Sequence, residues 1–146
     1  MMVRVALAAD VARVSEIARA AYAPYVERLG FEPPPMVADF AAAERAGELR
    51  VIGEPVIGYV VFREREADVL LENVAVAPRE AGRGLGRRLV AHVERAAASL
   101  GKPVVLYTNA AMTENVALYP RLGYRETHRR VENGLSRVYF RKGVCQ

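Results

Sequence analysis

A chain of 146 residues, 52% apolar and 26% charged, suits one compact domain with one core. No apolar run approaches the ~20 residues of a membrane span, and a single cysteine, Cys145, rules out an intramolecular disulfide and makes a cytoplasmic location the default expectation. The net charge of +4 and a pI near 9.5 favour an anionic ligand without naming one.

Met2 to Leu7 alternates as a short strand, without the apolar core of a secretory leader. Asp10 is placed to cap a helix in which Val11, Val14, Ile17, Ala18, Ala21, Tyr22 and Tyr25 recur at helical spacing. Pro24 should kink that helix or start a new turn. Gly30 and Pro33-Pro34-Pro35 predict a stiff extended connection. A second helix is expected over Met36–Ala46, with Phe40 inward and Gly47 as its stop.

Leu49–Ile52 and Val56–Phe62, joined at Gly53-Glu54-Pro55, read as a hairpin. The second of these runs is nearly all apolar, which predicts a strand covered on both faces. Arg63–Asp68 is a charged turn and Val69–Val76 the next strand. A helix from Gly84 to about Leu100 should bury Leu85, Leu89, Val93, Ala96 and Leu100, with Gly101 as its cap. Val104–Tyr107 is a further strand. Thr108–Met112 is a loop, and Thr113 is placed to cap a short helix ending near Leu122. Tyr124–Val131 and Leu135–Arg141, joined at Glu132-Asn133-Gly134, make a closing hairpin. The order βααβββαβαββ predicts a mixed α/β (α+β) fold. Its central sheet of about seven strands is mostly antiparallel, flanked by about four helices, in a single domain over residues 1–146.

The organising stretch is Leu70–Leu89, where an apolar strand, a glycine turn and a helix start follow one another. The first turn of a helix has amides without intrahelical partners and carries partial positive charge. Gly82, Gly84 and Gly86 clear side chains from that turn, and Arg83, Arg87 and Arg88 add charge. The dinucleotide pattern G-x-G-x-x-G fails here, because its third glycine position holds Arg87 or Leu89. A P-loop is absent, since no Gly-Lys-Ser or Gly-Lys-Thr occurs. A purely structural turn with a solvated basic face is the competing reading.

Three segments carry a resemblance. They are Leu71-Glu72-Asn73-Val74-Ala75-Val76, Gly82-Arg83-Gly84-Leu85-Gly86-Arg87 and Asn115-Val116-Ala117-Leu118-Tyr119-Pro120-Arg121-Leu122-Gly123-Tyr124. In order and distance they resemble the GNAT superfamily of acetyl-CoA-dependent N-acetyltransferases, and the element order extends the resemblance over nearly the whole chain. One position departs from it: three residues before Gly84, where the family commonly carries Gln or Arg, stands Ala81. Arg79 and Arg83 are the neighbouring charges.

The resemblance implies acetyl-CoA as co-substrate, with no metal. Its pyrophosphate would meet the amides of Gly82, Arg83, Gly84, Leu85, Gly86 and Arg87. Its pantetheine arm would run beside a bulged strand at Val74, Ala75 and Val76, with the Val74 amide as oxyanion donor. Asn115 would bind the same arm or cap its helix. Tyr119 would protonate the leaving thiolate, although by residue type alone it reads as a core aromatic. Glu72, a carboxylate inside an apolar strand, would take the proton of the amine if buried there, or would pair structurally if it faces outward. A water relay is the alternative base.

The family's acceptor region would include Tyr22, Tyr25, Glu27, Arg28 and residues Pro33 to Met36. Tyr25 and Phe31 suit a flat acceptor and Glu27 a cationic one. The expected reaction is direct transfer of acetyl to a primary amine of a small molecule or peptide. The alternative is a non-catalytic acyl-CoA sensor or basic interaction domain. The arginines of the last hairpin default to a solvated face, and its free edge is compatible with a homodimer. Nucleic-acid and membrane partners are not expected, since no motif for either occurs.

Overall fold

The computed structural model describes residues 1–143, so Cys145 lies outside the described residues. Seven strands form one mixed sheet in the hydrogen-bonded order β1-β2-β3-β4-β5-β7-β6, and the element order is the expected βααβββαβαββ. The chain divides into two compact units. The first comprises Met1–Arg63 with Leu71–Val93, and the second Glu64–Leu70 with the chain from Glu94 onward.

In the first unit, β1 (Val3–Val5) lies antiparallel to β2 (Leu49–Ile52), which lies antiparallel to β3 (Gly58–Glu64). Gly58, Tyr59, Val60 and Val61 are all buried, as a strand covered on both faces requires. A Cβ on Gly58 would stand 3.1 Å from Ile52 Cγ2 and 3.2 Å from Leu89 Cδ1, so only glycine fits there without repacking. Helix α1 (Val11–Leu29) buries Val14, Ile17, Ala18 and Tyr22, and ends at Gly30 in the left-handed region. It runs through Pro24 without a break. The Asp10 carboxylate does not cap it; it takes hydrogen bonds from Arg4 and from the Leu7 amide. The Arg4 guanidinium is the stronger partner and holds the Asp10 carboxyl below its ordinary range.

The triple proline does not stay extended throughout. Pro33 is extended, but Pro34–Val37 form a 3-10 turn that buries Met36. Helix α2 therefore starts later than its apolar spacing predicts, at Phe40, and runs to Arg45. Asp39 caps it by accepting from the Ala42 amide at 3.0 Å. Phe40 packs edge-on against Tyr59, with 5.1 Å between ring centroids.

β4 (Val69–Val76) has the predicted bounds. A short 3-10 turn, Pro78–Glu80, leads to the glycine turn and to α3 (Leu85–Leu100). The buried stripe of α3 is Leu85, Leu89, Val90, Val93 and Ala97. Ala96 is half-buried and Leu100, the last helical residue, is 47% exposed, which corrects the predicted stripe at its end. At about 100° per residue Leu100 shares the buried face by angle, so its exposure goes with its place as the last residue of the helix, not with its phase.

In the second unit, Val69 and Leu70 run parallel to Val104 and Val105 of β5 (Val104–Asn109). β5 pairs antiparallel with β7 (Leu135–Lys142), and β7 with β6 (Arg125–Glu132), with a register shift between Glu126 and His128. Val104, Leu106, Val138 and Phe140 are buried. The hairpin closes at Asn133 (φ 51°) and Gly134 (φ 77°), two left-handed residues in succession, as a two-residue turn of this kind demands. Helix α4 (Thr113–Arg121) begins one residue earlier than a Thr113 cap would allow. Met112 holds the cap position, and the Thr113 hydroxyl turns to Glu114 instead.

Candidate active site

The glycine turn is built by backbone conformation. Gly82 (φ 84°) and Gly84 (φ 77°) lie in the left-handed region, and a Cβ on either would meet nothing within 4 Å. They are required for their torsions, and they leave open space above the amides. The first intrahelical bond of α3 runs from the Arg88 amide to the Gly84 carbonyl at 3.1 Å. The amides just ahead of it are therefore donors without helical acceptors at the positive end of a 16-residue helix. A Cβ on Gly86 would stand 4.0 Å from Val76 Cγ2, so the end of β4 passes close to the first turn of α3. Arg83 pairs with Glu80, and Arg88 donates to the Met1 carbonyl. Donor amides, open space and surrounding guanidiniums together fit a pyrophosphate.

Burial alternates along β4. Leu71, Asn73 and Ala75 are buried, Val74 and Val76 are half-buried, and Glu72 is exposed. The expected burial of Glu72 is not found, because Glu72 falls on the outward phase of the strand. Its side chain is 36% exposed and pairs with Arg63 at 3.7 Å. Tyr22 is buried, and its hydroxyl donates to Asn73 Oδ1 at 3.1 Å, with the Val74 carbonyl 3.3 Å away. Tyr25 is half-buried under the Arg28 guanidinium, 5.0 Å above its ring, while Glu27 is exposed. Sequence reasoning passed over Asn73. The signal was present: a second polar side chain inside an apolar strand.

In the second unit, Tyr119 is held by rings. Tyr124 meets it edge-on at 5.6 Å and Phe140 at 5.8 Å between centroids. Among the described residues its hydroxyl meets no hydrogen-bond partner. Burial raises its phenol to about 12, so it stays protonated wherever a thiolate of pKa near ~8.5 is already formed. Asn115, one turn earlier on the same helix face, donates to Thr108 Oγ1 at 3.4 Å. The Tyr124 hydroxyl donates to Glu94 at 2.8 Å. Lys142 donates to the same carboxylate at 3.2 Å and to the Leu122 carbonyl at 2.9 Å, closing the C-terminal end of α4. Burial first, and then the Glu94 charge, push the Tyr124 phenol well up. Among the described residues no group of three or more His, Cys, Asp or Glu could hold a metal ion. No helix among them is long and apolar enough to cross a membrane.

Solved structures share this fold. The ribosomal-protein-S18-alanine N-acetyltransferase of Escherichia coli is 18% identical, with a TM-score of 0.78 over 99% of this chain and 94% of that one. The PaiA N-acetyltransferase of Thermoplasma acidophilum, solved with coenzyme A, is 11% identical, with a TM-score of 0.78 over 97% and 98%. YncA of Salmonella typhimurium, solved with its cofactor acetyl-CoA, is 23% identical, with a TM-score of 0.72 over 100% and 95%. No curated protein matches the chain. The family model described as the acetyltransferase (GNAT) family matches residues 11–124, which take in the strand, the glycine turn and the Asn115–Tyr119 helix, and the chain belongs to that family.

Proposed function

We propose that the protein is an N-acetyltransferase that moves the acetyl group of acetyl-CoA to the primary amine of a small molecule or peptide, by direct attack while both substrates are bound. The observation that carries this reading is the glycine turn at the head of α3, where Gly82 and Gly84 keep the space over the free amides open. The amides of residues 82–87 would hold the pyrophosphate, and β4 at Val74, Ala75 and Val76 together with Asn115 would take the pantetheine arm. Acetyl-CoA supplies an activated thioester.

Attack requires a neutral amine, whose conjugate acid has a pKa near ~10. Glu72 faces outward and is paired with Arg63, the arrangement of a structural partner, so the proton would leave through a water relay, with Glu72 as base only where that pair opens. Tyr119 would return a proton to the thiolate as it leaves; its raised pKa keeps that proton in place. The Val74 amide would donate to the developing oxyanion. Tyr22, Tyr25, Glu27 and Arg28 would border the acceptor, with Tyr22 tied to β4 through Asn73. The chain would act as one acetyltransferase domain in the cytoplasm.

Calorimetry with acetyl-CoA, followed by thiol release against polyamines, arylalkylamines, amino acids, aminoglycosides and peptide N-termini, tests the reading. Micromolar binding with release for one amine class supports it. Binding without release supports a non-catalytic acyl-CoA sensor, and absence of binding returns the glycine turn to a structural role.

A further inference from the structure

Asn73 is a buried polar side chain, 4% exposed, in the middle of β4. It sits between two residues of the proposed chemistry, Glu72 and Val74. Its Nδ2 donates to the Pro35 carbonyl at 3.0 Å. A carbonyl only accepts, so this contact fixes which way the amide faces. Oδ1 is then turned to two phenols, and both donate to it: Tyr59 at 2.9 Å and Tyr22 at 3.1 Å. Burial pushes the Tyr59 phenol well above its ordinary range, which keeps that donor protonated.

One side chain therefore fastens three other segments to β4: α1 through Tyr22, β3 through Tyr59 and the proline turn through Pro35. Nothing in the packing of a strand demands an amide here, since its buried neighbours in the alternation are Leu71 and Ala75. A buried amide in place of an apolar side chain is retained at a cost in desolvation, and its three directed bonds return geometric definition. What it defines is the backbone on either side. The Glu72 and Val74 peptide units cannot shift without breaking the bonds of Asn73, and the Tyr22 hydroxyl also reaches the Val74 carbonyl.

We propose that Asn73 is a positioning residue for the transfer step: by tying Tyr22, Tyr59 and Pro35 to β4 it sets where the Glu72 carboxylate and the Val74 amide stand. The inference rests on the acetyltransferase reading above. A positioning role and a purely structural role separate in kinetics, because displacement of reacting groups by about an ångström lowers kcat by up to about 100-fold per folded molecule, which a loss of stability alone does not.

The test is Asn73→Leu, which removes all three bonds while keeping an apolar fill. It is measured well below its melting temperature for kcat and amine KM per folded molecule, with the acetyl-CoA Kd determined by calorimetry. The expected result is a fall in kcat of about tenfold or more, with the acetyl-CoA Kd within twofold of wild type. Tyr59→Phe, which removes one bond and keeps the ring, serves if Asn73→Leu fails to fold; it should lower kcat severalfold with the same unchanged Kd. An unchanged kcat in a variant that only melts earlier overturns the proposal, as does a Kd that weakens in step with kcat. A wild-type protein that binds acetyl-CoA yet acetylates no amine overturns the enzyme reading itself, and the positioning role falls with it.

Discussion

Tyr119 has an unusual combination of features: a ring packed on two sides and, among the described residues, a hydroxyl with no hydrogen-bond partner. Such a phenol is held in place and free to give its proton away. Tyr119→Phe should lower kcat by roughly 100-fold with little change in acetyl-CoA affinity, which steady-state kinetics and calorimetry together would read. Glu72 makes a different prediction, because the base role proposed for it would act before attack. Glu72→Gln should lower kcat by roughly 100-fold near neutral pH and recover toward wild type as the pH approaches that of the free amine's own deprotonation. A pH–rate profile that stays parallel to wild type would assign the proton to a water relay. Tyr119 was legible only through its motif, since by residue type it reads as an ordinary core aromatic. The exposure of Glu72 was not legible, because a run of apolar neighbours hides which phase of the strand faces outward. Asn73 was legible in kind but not in role; its partners lie 14, 38 and 51 residues away in the chain.

At the scale of elements, chain order followed from apolar runs and turn residues, and β2 and β4 were bounded to the residue, whereas β1 (Val3–Val5) is shorter than its apolar alternation and β3 starts at Gly58 rather than Val56. The start of α1 at Val11 followed as well, but the start of α2 and the capping bonds of Asp10 and Thr113 did not, and each miss has a local cause. The prolines before α2 formed a 3-10 turn that delayed it to Phe40. Asp10 and Thr113 had better partners than helix amides in Arg4 and Glu114. The glycine turn was legible as an element, since Gly82 and Gly84 lie in the left-handed region directly ahead of α3. Its torsions make a prediction. Gly84→Ala forces a side chain into φ 77° and points a methyl into the open space over the turn. Stability should fall by about 1 kcal/mol, or about 3 °C in Tm, and the acetyl-CoA Kd should weaken by far more than that strain accounts for. Thermal melts with and without acetyl-CoA would separate the two effects.

For the whole molecule, the balance between burial and ionisation sets an alkaline limit. A phenol raised from 10 to about 12 stabilises the fold fully below pH ~10 and loses that contribution as the pH climbs through the folded value. Between about pH 9 and pH 11 the wild type should lose about 1 kcal/mol more stability than Tyr119→Phe, measured by urea denaturation at both pH values. Burial of the Tyr124 phenol acts in the same direction. Composition and charge raised the expectation of one core and an anionic ligand, and the order of elements carried the fold. The acceptor amine was not written at that level. It depends on which side chains from separate segments converge, and neither charge nor periodicity encodes convergence.

The turn at Asn133 and Gly134 sets how the protein ages. An asparagine followed by glycine offers its side-chain amide to the next backbone nitrogen with no neighbouring Cβ in the way, and this pair is exposed at the tip of the hairpin. Ring closure and hydrolysis there would leave aspartate or isoaspartate. Either product adds a negative charge next to Glu132. The second adds a backbone carbon to a loop whose closure pairs Glu132 with Leu135. The two residues best suited to turning the chain are thus also the ones through which old protein would lose the register of its last two strands.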